Sequence, residues 1–229
     1  MINAIFIIGT GRSGTHFLCR TLLGFENIND MLNGHENSPL LNDITISAIE
    51  GNPLSNSVIN YYKDKINNNF IFLDQHHPNI HHYDQLSKEF PNALFVGIDR
   101  PIEQIVSSML IHGGVLKWFE KAKANLNTIY PNNFLGVSSA SELDEPKHIL
   151  AAKRVLSHKN IYSCIINNSN FRLLNFENLI YDREKEFNRV FSKEELQEFG
   201  NYLEKEKPNI EVLTKFKKNL TNTQLSDIL

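Results

Sequence analysis

The sequence predicts a single α/β domain in which a central parallel sheet is flanked by helices in three layers. Short apolar runs alternate along the chain with segments of helical character, a pattern typical of strands that are buried on both faces. The 229 residues are 41% apolar, which is enough to bury one core without disulfides or metals. No repeat or linker-like tract divides the sequence, so we interpret residues 1–229 as one domain.

The predicted elements follow from local sequence in chain order. Strands are expected at the apolar segments 4–9, 70–73 and 93–98, and a further strand is expected at residues 171–176. Helices are expected at residues 15–23, 82–90, 101–110, 146–158, 183–191 and 193–206. Residues 116–143 show no clear pattern, so an irregular or lid-like insertion is expected there. Residues 209–229 are expected to form a tail that is helical in part.

Composition excludes several classes of protein. The net charge of −3 disfavours a globally basic nucleic-acid binder, so an anionic ligand must be bound by local positive charge. No apolar run approaches the ~18 residues of a membrane span, and the first residues lack the basic region of a signal peptide. Cys19 and Cys164 are too few for a disulfide framework, so we expect a cytoplasmic protein without membrane association.

The strongest motif is a glycine-rich loop between the first strand and the first helix. Its sequence is Gly9-Thr10-Gly11-Arg12-Ser13-Gly14-Thr15-His16. Glycines let successive backbone N–H groups surround an anion, and the helix N-terminus adds partial positive charge. Gly9 and Gly14 have the spacing of a nucleotide-binding P-loop, but Thr15-His16 replaces the Lys-Ser/Thr pair that serves phosphate and magnesium. The loop therefore predicts an anion site whose cation is Arg12.

A second candidate anion site follows the third predicted strand. Arg100 comes directly after that strand, and its planar guanidinium suits a phosphate. Ser107 and Ser108 lie seven and eight residues further along, on the following helix. Taken alone, Arg100 is equally well interpreted as a cap on the sheet edge. Together with the glycine-rich loop, it predicts two anion sites at the carboxyl ends of two strands, as a nucleotide with two separate phosphates requires.

The glycine-rich loop resembles the 5′-phosphosulfate loop of sulfotransferases that use 3′-phosphoadenosine 5′-phosphosulfate (PAPS). Its Arg-Ser-Gly-Thr string is closest to the tyrosylprotein and carbohydrate enzymes. The resemblance implies a P-loop-like fold and transfer of a sulfuryl group to a hydroxyl or amine of an unidentified small molecule, sugar or peptide. It also implies that the donor is bound without a metal by Gly11, Arg12, Ser13, Gly14, Thr15, His16, Arg100 and Ser108. Ser107 stays open as an alternative to Ser108, because Pro101 follows Arg100 one residue early for this family.

Three segments further along the chain extend the resemblance. Residues 74–78 and 90–93 are similar to the family's Lys-x-Pro and Phe-Pro-x-Ala run, and residues 173–179 are similar to its Tyr-Glu-Asp-Leu strand and helix. The C-terminal Arg-Lys-Gly element of cytosolic members is missing. Lys215, Lys217 and Lys218 either replace it or form a solvated helix face.

The resemblance also implies candidates for the chemical step. Arg12 is expected to stabilise the leaving phosphate. Glu36 matches the glutamate that acts as base in tyrosylprotein enzymes, with His35 as the alternative. His76 occupies the position of the family's lysine, and it or His77 is a further candidate to contact the sulfuryl group or take the acceptor proton. These assignments stay open at this point.

Two other functions compete with sulfuryl transfer. A P-loop kinase or phosphotransferase is disfavoured by the missing Lys-Ser/Thr pair. A non-catalytic nucleotide- or metal-binding protein is suggested by the dense group His76, His77, His81 and His82. Because no cysteine or carboxylate set completes a zinc site, and because Pro78 interrupts the helical alignment of the pairs, we predict no metal.

Overall fold

The computed structural model describes residues 1–29, 39–66, 69–204 and 209–229. Five strands form one sheet: β1 (Ala4–Ile7), β2 (Ile28–Asn29), β3 (Ile71–Asp74), β4 (Ala93–Asp99) and β5 (Phe171–Asn175). Their order across the sheet is β2-β3-β1-β4-β5, and every neighbouring pair is parallel. The predicted parallel α/β sheet is therefore confirmed, with β2 added at one edge. The two-residue β2 is too short for a pattern of apolar residues to reveal it.

The register brings the carboxyl ends of the three central strands to one edge of the sheet. Phe6 of β1 pairs with Asp74 of β3, and Ile7 of β1 pairs with Val96 of β4. The segments that follow these three strands therefore emerge side by side. They are the glycine-rich loop, the histidine-rich segment and Arg100, which are the three parts of the chain that the sequence analysis singled out.

The chain up to residue 124 contains more helix than the sequence predicts. The helices are α1 (Thr15–Leu22), α2 (Pro39–Glu50), α3 (Asn56–Ile66), α4 (Tyr83–Glu89), α5 (Ile102–Ile111) and α6 (Lys117–Ala124). A 3₁₀ helix at His77–His82 precedes α4. Helices α2, α3 and α6 were not predicted, because asparagine, which is frequent in and around the first two, usually marks loops. Helix α6 lies within the stretch 116–143.

From residue 147 onward, the described part of the chain contains β5 and six α-helices. Its helices are α7 (Lys147–Ile165), α8 (Phe176–Tyr181), α9 (Arg183–Val190), α10 (Lys193–Phe199), α11 (Phe216–Asn219) and α12 (Asn222–Ile228). Helix α7 continues beyond the predicted end at residue 158. Helix α10 stops well before the predicted end at residue 206, because Gly200 has a φ of +84° and ends the helix. The tail is helical in part, as expected.

Alternate side chains of each strand enter two cores on opposite faces of the sheet. Ile5 and Ile7 of β1 pack with residues of α1, α8, α9 and α10 on one face. Ala4 and Phe6 pack with residues of α3, α4 and α7 on the other face. This arrangement gives the predicted three layers, helix on sheet on helix.

A third core lies beside the sheet, between α5, α7 and the chain from residue 116 onward. Phe119 of α6 is buried in it, as are Phe134 and Leu135. The tail adds Leu220 and Ile228. The stretch 116–143 is thus attached to the domain by buried apolar side chains. Within the ranges described, no helix has the length and apolar character needed to cross a membrane.

Candidate functional site

The glycine-rich loop turns sharply between β1 and α1. Gly9, Arg12 and Gly14 have φ values of +151°, +72° and +110°. The N–H of Gly9 donates to the carbonyl of His77 at 2.9 Å, which joins the loop to the chain after β3. The loop then enters α1 directly at Thr15, so the positive end of the helix lies at the carboxyl edge of the sheet. Such an arrangement favours an anion.

Arg12 and Arg100 line one cavity of about 290 Å³, which we call the arginine cavity. The Nε of Arg12 donates to the hydroxyl of Ser108 at 3.2 Å, and Nη1 of Arg100 donates to the carbonyl of Arg12 at 3.2 Å. Gly14, Thr15 and His16 also line this cavity, as do Ser107 and Ser108. The structure therefore brings together Arg12 and Arg100, which lie 88 residues apart in the sequence.

Arg100 is held rigidly by residues that the sequence analysis did not identify. Its Nε donates to Gln104 Oε1 at 3.0 Å, and its guanidinium carbon lies 4.2 Å from the centre of the Phe176 ring. Gln104 in turn donates to Glu177 at 2.9 Å. Burial, and then the charge of Arg12, lowers the pKa of Arg100 to about 10, so the side chain remains charged at neutral pH.

Three of the predicted donor-site positions differ in their surroundings. Ser108 contacts Arg12, whereas the hydroxyl of Ser107 accepts a hydrogen bond from Asn219 of the tail at 3.1 Å. The Ser13 hydroxyl donates to the carbonyl of Thr10 at 2.8 Å, and Ser13 lines neither of the two cavities described here. This hydrogen bond closes a turn within the loop.

The tail closes one side of the arginine cavity. Val212, Lys215, Phe216 and Asn219 line it. Of the three tail lysines considered in the sequence analysis, Lys215 lies in this lining, and Lys217 and Lys218 do not.

A second cavity of about 390 Å³, which we call the histidine cavity, lies on the other side of the loop. Arg12, Thr15 and His16 line both this cavity and the arginine cavity. Gly11 lines the histidine cavity but not the arginine cavity. The rest of its lining consists of Leu41, Gln75, His76, His77, His112, Gly114, Val115, Trp118 and Arg154.

The orientation of His76 in the histidine cavity is fixed by Asp74, the last residue of β3. The imidazole Nδ1 lies 2.5 Å from one oxygen of the Asp74 carboxylate, and the backbone N–H of His76 donates to the other oxygen at 3.0 Å. Asn79 also donates to Asp74 at 3.0 Å. In a neutral imidazole whose Nδ1 hydrogen points to a carboxylate, Nε2 carries the lone pair that accepts a proton. Sequence reasoning missed Asp74, although its place two residues before His76 at a strand end is visible.

The neighbouring histidines are held in their neutral form. Burial, followed by the charge of Arg154, holds the pKa of His77 and of His81 well below the usual value. His81 and His158 face each other with their Nε2 atoms 2.8 Å apart, which requires one ring to donate and the other to accept. Across residues 1–29, 39–66, 69–204 and 209–229, no group of three metal-ligating side chains has the geometry of a metal site. Glu36 and His35 lie outside the described residues.

Three solved structures resemble the chain along nearly its whole length. They are a sulfotransferase domain from the curacin biosynthetic pathway, a sulfotransferase domain from the olefin synthase of Synechococcus PCC 7002, and a sulfotransferase from Alicyclobacillus acidocaldarius. Their identities to this chain are 15%, 12% and 12%, and the TM-scores are 0.51, 0.56 and 0.54. The similarity covers 100%, 99% and 100% of this chain and 96%, 94% and 94% of the others. No protein-family model and no curated protein matches the chain.

Similarity at this level of identity identifies the fold rather than the reaction. The five-stranded parallel sheet, its flanking helices and its single-domain extent all agree with these neighbours. The chain therefore has the α/β fold of the sulfotransferases.

Proposed function

We propose that the protein transfers a sulfuryl group from PAPS to a hydroxyl or amine of an acceptor. The observation that carries this proposal is the convergence of Arg12 and Arg100 on one cavity beside the glycine-rich loop. A donor with a 5′-phosphosulfate and a separate 3′-phosphate needs two cationic sites within one molecule's reach. The fold shared with solved sulfotransferases supports the same conclusion.

In this proposal the donor lies in the arginine cavity. The backbone N–H groups of the loop, Arg12 and Thr15 bind the 5′-phosphosulfate, and the N-terminus of α1 adds partial positive charge. Arg100 and Ser108 bind the 3′-phosphate, while Gln104 and Phe176 hold the Arg100 guanidinium in place. The sulfuryl group then points across the shared wall of Arg12, Thr15 and His16 toward the histidine cavity.

The reaction is an in-line displacement at sulfur. The acceptor oxygen or nitrogen forms a bond to sulfur as the bond from sulfur to the bridging phosphate oxygen breaks. The negative charge that develops on the leaving phosphate is stabilised by Arg12 and the loop N–H groups. The acceptor's proton passes to a base, for which we propose His76, held by Asp74, with Glu36 as the alternative. The product nucleotide is 3′-phosphoadenosine 5′-phosphate (PAP).

Ligand preference tests this proposal directly. Calorimetry should show tight binding of PAP without magnesium and weak binding of ATP with magnesium. Arg100→Ala should weaken PAP binding about 10- to 100-fold, because a charge-assisted contact to phosphate contributes roughly 1.5–3 kcal/mol. Arg20→Ala, an exposed arginine on α1, is the matched control and should bind PAP normally. Tighter binding of magnesium ATP than of PAP would contradict the proposal.

The residue that takes the acceptor's proton is identified by measuring the rate of sulfuryl transfer in variants that still bind PAP. His76→Ala and Glu36→Ala, each with PAP affinity retained, should be compared in single-turnover sulfuryl transfer to a panel of acceptors with labelled donor. The base variant should lose activity by about 100-fold or more. Full activity in both variants would remove both assignments.

A further inference from the structure

Arg154 of α7 is buried deeply in the wall of the histidine cavity. Its relative exposure is 1%, and it is among the largest fully buried side chains that the structure describes. Burial lowers its pKa to about 9, so the guanidinium still carries a positive charge at neutral pH. A charge in this position is expensive to desolvate unless a partner compensates it.

No partner within the described part of the chain compensates this charge. Nε and Nη1 of Arg154 are buried without a hydrogen-bond partner there, and no carboxylate in those ranges affects the guanidinium. Its charged and titratable neighbours are His77, His81 and His158, which are held neutral partly by the charge of Arg154 itself. The Phe134 ring, 4.0 Å from the guanidinium carbon, supplies only a cation–π contact.

We propose that Arg154 binds an oxyanion of the acceptor, a carboxylate, phosphate or sulfate, so that the enzyme acts on anionic acceptors. This inference rests on the proposed function, since it names the class of molecule that enters the histidine cavity. The oxygen atoms of an oxyanion accept hydrogen bonds from the unpartnered N–H groups of Arg154. The oxyanion also supplies the negative charge that the described residues do not provide.

In this proposal, the oxyanion that binds Arg154 does not belong to PAPS. Its phosphates have Arg100, Arg12 and the loop, whereas Arg154 lines only the histidine cavity. The same cavity also has the apolar side chains of Leu41, Val115 and Trp118 in its lining. The acceptor is thus an amphipathic molecule, with an apolar body against these side chains and an oxyanion at Arg154.

Binding of matched small probes tests the inference. With PAP saturating the arginine cavity, benzoate, benzamide, acetate and inorganic phosphate are titrated by calorimetry. Trp118, the only tryptophan of the chain, reports the same events by fluorescence. Benzoate should bind at least about ten-fold more tightly than its neutral isostere benzamide, because only benzoate forms charge-assisted hydrogen bonds with Arg154. Equal affinities, or no response to any of the oxyanions, would overturn the inference.

Two variants tie the preference to Arg154. Arg154→Met removes the charge at similar volume and should abolish the preference for benzoate, whereas Arg154→Lys should retain part of it. Thermal unfolding is measured for both variants to check that each is folded. A benzoate preference that survives in Arg154→Met would overturn the inference.

Donor binding separates this inference from the proposed function. PAP and PAPS should bind Arg154→Met as they bind the original protein. Weakened binding of PAPS alone would assign Arg154 to the transferring sulfuryl group and so overturn its role with the acceptor. Failure of the original protein to bind PAP would contradict the proposed function, while the benzoate preference would still be measurable without nucleotide.

Discussion

Arg12 has a left-handed backbone conformation that residues other than glycine rarely adopt, with a φ of +72°. This conformation costs roughly 1–2 kcal/mol. The same residue lines both cavities, and its carbonyl accepts a hydrogen bond from Arg100. Strained residues of this kind cluster at functional sites, because their surroundings hold them there. Arg12 thus combines a strained backbone with a central position in the candidate site.

Replacing Arg12 should separate strain from function. Arg12→Gly and Arg12→Ala remove the same guanidinium, but only glycine relieves the left-handed φ. We expect Arg12→Gly to be more stable than Arg12→Ala by roughly 1 kcal/mol in urea denaturation. Both variants should lose donor binding to a similar degree. Equal stability of the two would show that the backbone at this position is not strained.

Single residues of the site differ in how far the sequence predicts them. Arg12 and Arg100 could be predicted because Arg100 directly follows β4 and Arg12 lies in the short loop between β1 and α1, so that the strand ends determine where both residues lie. Arg154 could not, because the sequence does not show that an arginine within a long helix will be enclosed. The relative positions of Ser107 and Ser108 depend on helix phase, which only the structure supplies.

Helix α1 begins at a glycine packed against an aromatic ring. Gly14 has a φ of +110°, and a Cβ at this position would lie 2.8 Å from the ring of Phe176. That ring is the one on which Arg100 rests. The loop, α8 and the side chain of Arg100 are therefore connected through the Phe176 ring.

Alanine at Gly14 should damage both stability and donor binding. We expect Gly14→Ala to lower the free energy of unfolding by roughly 2–5 kcal/mol, from the unfavourable φ and from the clash with Phe176. Gly51→Ala is the matched control, since Gly51 also has a positive φ, +70°, but open space where the Cβ would be. It should cost only about 1–2 kcal/mol and leave PAP binding unchanged. Similar losses for both variants in urea denaturation would disprove the role of the Phe176 contact.

A strand or helix was predictable where the pattern of apolar residues within its own segment identifies it. The strands β1, β3, β4 and β5 consist mainly of apolar residues, and a short segment of this kind needs no partner to be recognised. The helix α3 is rich in asparagine and tyrosine, and its buried face becomes evident only against the sheet. The same holds for α6, whose Phe119 enters a core formed by distant parts of the chain.

The whole molecule contains a set of four neutral histidines, of which His82 and His158 are buried and His77 and His81 are half-buried. His77, His81, His82 and His158 all have a pKa lowered below the usual value, chiefly by burial. In the unfolded chain each of these histidines binds a proton near pH 6.5, whereas in the folded protein each binds a proton only at lower pH. The contribution of these histidines to the free energy of unfolding is therefore fully present above about pH 6.5 and is lost progressively as the pH falls below that value.

Acid unfolding should show this histidine dependence. The free energy of unfolding from urea titrations should fall between about pH 6.5 and pH 5, with a slope of up to about 1.4 kcal/mol per pH unit for each histidine. His158→Gln should give a shallower slope. The carboxylates whose pKa is lowered, Glu142, Glu186 and Glu194, contribute only at more acidic pH. A free energy of unfolding that is flat across this window would contradict the buried neutral state.

The strand order of the whole sheet was not predictable from the chain. Alternating strands and helices predict a parallel sheet, but they leave open which strands are neighbours. The structure places β1 between β3 and β4, and this choice brings the loop, His76 and Arg100 to one edge. A site assembled from three separate segments depends on that order.

Arg12, Thr15 and His16 line both cavities, so a substitution at any of these three residues changes the shape of both cavities at once. An engineer who wishes to change which molecules are modified should therefore begin at Leu41, His112 or Trp118, which border the histidine cavity and not the arginine cavity. Under the proposed function, substitutions at these positions should leave PAP binding unchanged, so that a loss of turnover can be attributed to the acceptor alone.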